Sequence, residues 1–203
     1  MSKKPIIVFE GIEGTGKSHH IGKVAMYLKK INKKFIHIRE PGGSKNAEKI
    51  RKLILNNKST FNKHTDLLLY LSARSENLEL IKKNIGKQII LIDRFTDSTI
   101  AYQHYGMGVN LRFITNINDY LLKNISIDFT FLNTVNHENM RKRLMKRKSL
   151  NRYDKFNNIF YDKVQKGFIR IFKRNPQKYM KIDSNLDINI NEKIILSKIN
   201  ELI

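Results

Sequence analysis

Short apolar, β-branched runs recur along this chain at intervals of one helix plus a turn: residues 6–9, 35–38, 88–92, 129–132 and 179–182. Runs without polar alternation suit strands buried on both faces. Between them lie helical patterns, clearest over 66–85, where Leu67, Leu68, Leu71, Leu78 and Ile81 recur at near-helical spacing. Strands alternating with helices imply right-handed βαβ units and a parallel sheet covered on both sides. The predicted class is therefore α/β. Ligands of such sheets sit beyond the carboxyl ends of the strands, where Glu10 to Ser18, Arg39 to Gly43 and Asp93-Arg94 cluster.

The first of these clusters carries the most specific motif. Gly11-Ile12-Glu13-Gly14-Thr15-Gly16-Lys17-Ser18 satisfies G-x-x-x-x-G-K-[ST] in full, after the run Pro5 to Phe9 and before an amphipathic stretch over 21–31. Glycine lets main-chain N–H groups approach a ligand closely. Successive N–H groups form a nest for phosphates, a helix starting near Lys17 aims its positive end at them, and Lys17 reaches the β- and γ-phosphates. Ser18 is then a ligand for Mg²⁺. The motif predicts a nucleoside triphosphate as ligand.

Length and composition bound the rest. The chain has 203 residues and no proline- or glycine-rich linker, so one domain over 1–203 is expected, without internal repeats. Lys3 and Lys4 precede an apolar run that ends at Glu10, too short for a signal peptide, and no stretch approaches the roughly 20 apolar residues of a membrane span. There is no cysteine, which excludes disulfides and thiolate metal sites. A soluble, cytoplasmic protein is expected.

The net charge of +21, from 39 Lys+Arg against 18 Asp+Glu, admits two readings. Basic surfaces displace phosphate counterions on nucleic acid. Yet Asn, Ile and Lys are abundant throughout, as in "INKKF" and "NINEKIILSKIN", which fits an AT-rich coding bias, and the lysines are scattered with few interleaved aromatics. The second reading carries more weight, so nucleic acid is not the expected partner.

"IILIDRF" is a strand ending in Asp93 and Arg94. Near a P-loop, a strand-end carboxylate can hold Mg²⁺ or its waters, and an adjacent arginine can bridge donor and acceptor phosphates; a simple strand-end ion pair is the competing reading. Further on, "MRKRLMKRKSLNR" places Arg141, Arg143, Lys146, Arg147, Lys148 and Arg152 on a helix followed by a loop. Such a segment is lid-like, since a phosphotransferase must exclude water and supply positive charge to the transition state. A solvated helix face is the alternative.

Taken in order, the P-loop with Glu13 inside it, "REPGG" at Arg39 to Gly43, "AEKIR" ending in Arg51, "YLSAR" ending in Arg74, and "DRFTDSTIAYQ" from Asp93 to Gln103 resemble bacterial thymidylate kinases across most of the chain. The resemblance implies a P-loop NTPase fold with a five-stranded parallel sheet, helices on both faces and a lid over about 141–154. It also implies transfer of the γ-phosphoryl of ATP to dTMP, giving dTDP, with Mg²⁺. By position, Gly11 to Ser18 would bind ATP, Ser18 and Asp93 would serve the metal, and Lys17 and Arg94 would contact phosphates. Arg51 would hold the dTMP phosphate, Glu13 the 3′-hydroxyl, and Tyr102 would crowd a 2′-hydroxyl. Arg74 and Gln103 would read the thymine edge, Ser98 and Thr99 would line the pocket, and Tyr70 would stack on the ring. Because Gly14 and Thr15 leave the P-loop without an arginine, the catalytic arginines would come from the lid: Arg143, Arg147 and Arg152. A cis-proline at Pro41 and a homodimer through the regions 66–85 and 100–122 are implied as well.

The chain departs from the family pattern at His19, where a hydroxyl is usual, at Met107 in "YGMGVN", where arginine is frequent, at Tyr70, where phenylalanine is usual, and at Lys148, where the lid has lost a glycine. Two other readings stay open at this stage: a kinase for deoxynucleosides or another monophosphate, and a P-loop nucleic-acid-binding module using ATP as a switch.

Overall fold

All five apolar runs become strands, β1 (Ile6–Glu10), β2 (Phe35–Arg39), β3 (Ile89–Asp93), β4 (Phe129–Thr134) and β5 (Tyr179–Asp183), in a computed structural model that describes residues 4–203. They form one parallel sheet in the order β2-β3-β1-β4-β5. The expected five-stranded α/β architecture is therefore present, with β1 at its centre.

The uniform hydrophobicity of β1 follows from the layers around it. Ile7 and Phe9 point to one face, against Ile21, Val24 and Leu28 of α1 (Lys17–Lys30) and Ile195 and Ile199 of α8 (Ile188–Leu202). Ile6 and Val8 point to the other, against Leu78 and Ile81 of α3 (Lys63–Asn84). Successive strand residues alternate between faces, so a strand covered on both must be apolar throughout. A third cluster joins Ile12, Tyr102, Tyr153, Phe160 and Phe168, the last two on α7 (Asn158–Arg174), and forms the floor beyond the strand ends.

The abundant asparagines have structural work at helix starts. Asn62 caps α3, Asn110 caps α5 (Leu111–Leu122), Asn136 caps α6 (His137–Met145) and Asn157 caps α7, each side chain accepting from backbone N–H groups of the first turn. Ser44 does the same for α2 (Lys45–Leu55). Helix α1 differs. Its first turn follows Gly16, at φ 80°, with no side-chain cap, so its leading N–H groups are left for another acceptor.

After β3 the chain makes a short helix, α4 (Thr96–Thr99), which widens into a π-helical stretch over Ile100–Gly106. The periodicity of the sequence did not reveal this widening. It turns Tyr102 and Gln103 into the interior. In the lid-like segment, α6 ends at Met145 and a single 3₁₀ turn follows at Tyr153–Lys155. Among the described residues no helix is long and apolar enough to cross a membrane.

Gly11 sits where β1 enters the P-loop, at φ 135°, and a Cβ there would lie 2.1 Å from the carbonyl oxygen of Asn133. Gly11→Ala should therefore cost about 2–4 kcal/mol through strain and overpacking. Gly22 on α1 has nothing within 4 Å of its Cβ position, and Gly22→Ala should stabilise by about 0.5–1 kcal/mol. Urea denaturation midpoints moving in opposite directions for the two variants would bear out both expectations.

Candidate functional site

A cavity of about 450 Å³ opens beyond the carboxyl ends of β1, β2 and β3. It is lined by Glu13 to Ser18 of the P-loop, by Arg51, Tyr70 and Arg74, by Asp93, Arg94, Ser98, Thr99, Tyr102 and Gln103, and by Arg147. Most residues singled out in the sequence thus meet in one place. Four lie off its wall: Gly11 packs under Asn133, Ile12 belongs to the core, and the side chains of Arg143 and Arg152 are engaged elsewhere.

The P-loop wraps its own lysine. Lys17 Nζ donates to the carbonyls of Gly11 at 2.8 Å and Ile12 at 2.9 Å, and to Thr15 Oγ1 at 3.2 Å. Burial, reinforced by the neighbouring Arg94 charge, pushes the Lys17 ammonium down to about 7. Ser18 Oγ lies 3.2 Å from Asp93 Oδ2. Two hard oxygens at that spacing suit a small divalent cation such as Mg²⁺, whose remaining ligands come from substrate phosphates and water. His19, the departure next to Ser18, pairs with Glu192 at 2.6 Å.

Arg94 stands in the left-handed region at φ 66° and reaches back across the cavity. Its guanidinium donates to the Gly11 carbonyl at 2.7 Å and to Glu13 Oε1 at 2.9 Å, and lies 5.2 Å from the centre of the Tyr102 ring. The Tyr102 hydroxyl donates to the other Glu13 oxygen. Burial pushes the Glu13 carboxyl up, but Arg94 and Lys17 together outweigh it and leave the group below its ordinary range. Glu13 is therefore a carboxylate with both oxygens engaged.

The loop after β2 turns through a cis Glu40–Pro41 bond, and Arg51 of α2 donates to the Pro41 carbonyl. Burial, then the nearby Arg39 charge, lowers the Arg51 guanidinium. At the far end of the cavity Arg74 is almost fully buried. It donates to Glu40 Oε2 at 2.9 Å, Asn118 Oδ1 at 2.7 Å and Thr99 Oγ1 at 2.9 Å. Arg74 can be buried because this partner set satisfies its charge and donors.

In the lid-like segment, Arg147 reaches the cavity wall and pairs with Asp154 at 2.6 Å. Arg143 donates to the carbonyls of Gly14 and Ser184, at 2.9 and 2.7 Å. Arg152 pairs with Asp66 on α3.

Several buried groups escaped the sequence reading. Sequence alone marks Glu10 and Glu40 only as strand-end residues and assigns no role to Asp66, Asp97 or Tyr153. Glu10 accepts from the backbone N–H groups of Phe95 and Ser98, at 2.8 and 3.2 Å, and from the Ser98 hydroxyl, so it clamps the turn that carries Arg94. No local pattern marks Glu10, since these hydrogen bonds span 85 or more residues.

The comparisons with known proteins agree with this geometry. The family model described as "Thymidylate kinase" matches residues 9–195. The thymidylate kinase of Mycoplasma capricolum is 39% identical over 204 residues, covering 96% of each chain. That of Acholeplasma laidlawii is 38% identical over 197 residues, covering 95% of this chain and 97% of its own. Among solved structures, the thymidylate kinase of Ehrlichia chaffeensis superposes with a TM-score of 0.77 at 31% identity, over 97% of this chain and 98% of that one.

Asp97 supplies a pH test of the buried cluster. Its Oδ2 accepts from the Tyr179 hydroxyl at 2.8 Å. Burial, then the neighbouring Glu10, pushes its carboxyl from an ordinary 3.8 up to about 7. Between those values the folded protein holds a proton that the unfolded chain releases. The resulting stabilisation is complete below about pH 4 and is lost as pH rises through about 7. Asp97→Asn should match the wild type in stability near pH 3.5 and exceed it at pH 8 by on the order of 4 kcal/mol, measured as denaturation midpoints at the two pH values.

Proposed function

The chain belongs to the thymidylate kinase family of phosphotransferases, and from that premise we propose that it transfers the γ-phosphoryl group of ATP to dTMP, forming dTDP for dTTP synthesis. The observation that carries this reading is the shared cavity, which gathers Lys17 of the P-loop, Arg51 of α2 and the buried Arg74 and Gln103 in one place.

In this reading the uncapped first turn of α1 and the P-loop N–H groups take the donor phosphates, while Lys17 exchanges loop carbonyls for phosphate oxygens. Ser18 and Asp93 would hold Mg²⁺, which when bound neutralises charge on the transferring phosphates. Arg94 sits between the P-loop and the acceptor side, so its guanidinium can contact phosphates of both substrates. Arg51 binds the acceptor phosphate. Glu13, kept ionised, accepts the 3′-hydroxyl, and the Tyr102 ring leaves no room for a 2′-hydroxyl. Tyr70 stacks on the base, Ser98 and Thr99 line its pocket, and Arg74 and Gln103 face its edge.

Phosphoryl transfer requires little covalent chemistry from the protein; positioning and charge neutralisation supply most of the acceleration. The segment 141–154 acts as the lid of a single 1–203 domain. Of its arginines, Arg147 is the one proposed to reach the transferring group, because it already lines the cavity. Arg143 and Arg152 hold the segment against Gly14 and α3. We place the enzyme in the cytoplasm, where ATP is available and a chain without cysteine needs no oxidising compartment.

A coupled assay of ADP release with ATP and Mg²⁺ tests the reading. Turnover should be selective for dTMP over dCMP, dGMP and thymidine, and Lys17→Ala should lower kcat at least about 10²-fold. Folded protein that binds ATP yet phosphorylates no acceptor, and binds DNA with strong salt dependence, would instead favour the nucleic-acid module.

A homodimer through α3 and α5 is proposed with it. Leu68, Phe113 and Tyr120 are large apolar side chains exposed on those helices. Light scattering should give twice the 23.9 kDa protomer mass; a single 23.9 kDa species at working concentration would count against the dimer.

A further inference from the structure

Tyr153, near the end of the segment 141–154, lines the cavity together with Tyr70, Tyr102 and Gln103, and its hydroxyl joins three parts of the fold. It donates to Asp66 Oδ2 on α3, whose other oxygen takes the Arg152 guanidinium. It also lies 3.4 Å from the amide nitrogen of Gln103 in the π-helical stretch. Asp66, Tyr153 and Gln103 are all buried. The rings of Tyr70 and Tyr102 pack edge-on against Tyr153, with centroids 5.9 and 5.8 Å away.

A glutamine amide has a donor end and an acceptor end of nearly equal shape, so its neighbours decide which end meets a ligand. Here they decide it through a fixed sequence of donors and acceptors. Asp66, as a carboxylate paired with Arg152, can only accept. The single Tyr153 proton is committed to it, and burial keeps that proton on the phenol. The Tyr153 oxygen is then left as an acceptor, toward the Gln103 amide and the neighbouring Tyr70 hydroxyl. The amide NH₂ is held toward Tyr153, and the carbonyl is left toward the cavity. At the same end, Arg74 offers donors alone.

An acceptor at Gln103 beside a donor at Arg74 complements a pyrimidine bearing N3–H next to a 4-carbonyl. A cytosine edge, with a bare N3 and a 4-amino group, has the opposite polarity at both positions. We propose that Asp66 and Tyr153 are specificity-determining positioning residues, which orient the Gln103 amide so that the site selects an imide-bearing pyrimidine and rejects a cytosine-type base. The inference rests on reading the cavity as a monophosphate acceptor site. It also makes the docking of the lid segment on α3, through Arg152, part of base selection.

The test compares kcat/KM for dTMP, dUMP and dCMP in the wild type, Tyr153→Phe and Asp66→Asn. Tyr153→Phe keeps the ring and frees the amide to turn, so the dTMP:dCMP ratio should fall at least about tenfold. The dTMP:dUMP ratio and the KM for ATP should stay at wild-type values, because both pyrimidines present the same imide. Asp66→Asn can donate to the Tyr153 oxygen and release its proton toward Gln103, so it should lower the dTMP:dCMP ratio too, at a cost in stability from the unpaired Arg152 that Tyr153→Phe does not incur. An unchanged dTMP:dCMP ratio in a variant with wild-type melting, or loss of all three acceptors by a common factor, would overturn the relay. Calorimetric binding of dTMP and dCMP reads the same ratio without turnover. A chain that binds dTMP selectively but does not phosphorylate it would thus sink the kinase reading while still deciding the relay.

Discussion

The guanidinium of Arg94 is the pin on which the site depends. Its backbone lies in the left-handed region, a conformation costing a non-glycine residue about 1–3 kcal/mol. That strain persists because the surroundings over-determine it. The Arg94 N–H donates to the Phe9 carbonyl at 3.0 Å, and the side chain returns to the Gly11 carbonyl and the Glu13 carboxylate. Beneath it, the Glu10 carboxylate gathers the next backbone N–H groups. The last residues of β1 and the turn after β3 are thereby locked to one another, and the P-loop, Asp93 and Arg94 are mounted on that lock.

The same economy governs the end of the cavity lined by Arg74. Burying an isolated charge is prohibitive, and removing one member of a buried pair costs about 3–5 kcal/mol. Arg74 and Glu40, Arg152 and Asp66, and Arg94 and Glu13 are therefore mutual obligations between distant segments. The first and last tie α3 and the P-loop to the strand ends, and the Arg152–Asp66 pair ties the segment 141–154 to α3. The hydrophobic clusters hold the layers together, while these pairs set which side chains face the cavity.

Legibility in the sequence follows the range of the interactions. The strands could be read because burial on both faces writes an unbroken apolar run into a few adjacent residues, as in Ile6 to Phe9. The P-loop could be read because its glycines and lysine act within one turn. Residues such as Arg51, Tyr70 and Gln103 became legible only through resemblance, since no local pattern points to them. The π-helical stretch at Ile100–Gly106 and the partners Glu10, Glu40, Asp66 and Tyr153 were missed. Their meaning lies in contacts with segments 34 or more residues away, which only the folded chain brings together. The arginines of the segment 141–154 were legible as a class but not individually: charge alone does not distinguish Arg147, on the cavity wall, from Arg143 and Arg152, which are tied to the frame.

The cavity is also a region of unresolved repulsion. Arg94 helps to lower the Lys17 ammonium, and Arg39 helps to lower the Arg51 guanidinium. These cations are held together by a scaffold whose own carboxylates are already engaged, Glu13 by Arg94 and Tyr102, and Glu48 by Arg39. A functional site can carry such a cost when the rest of the fold sustains it. Phosphate groups reverse the sign of the local field: each anion that enters relieves cation–cation repulsion and restores the full charge of Lys17. Ligand binding and the electrostatic stability of this region are therefore linked, so anionic substrates stabilise the folded chain by mass action. The part of the positive charge that lines the cavity has a physical use, and the scattered remainder on the helix surfaces does not share it.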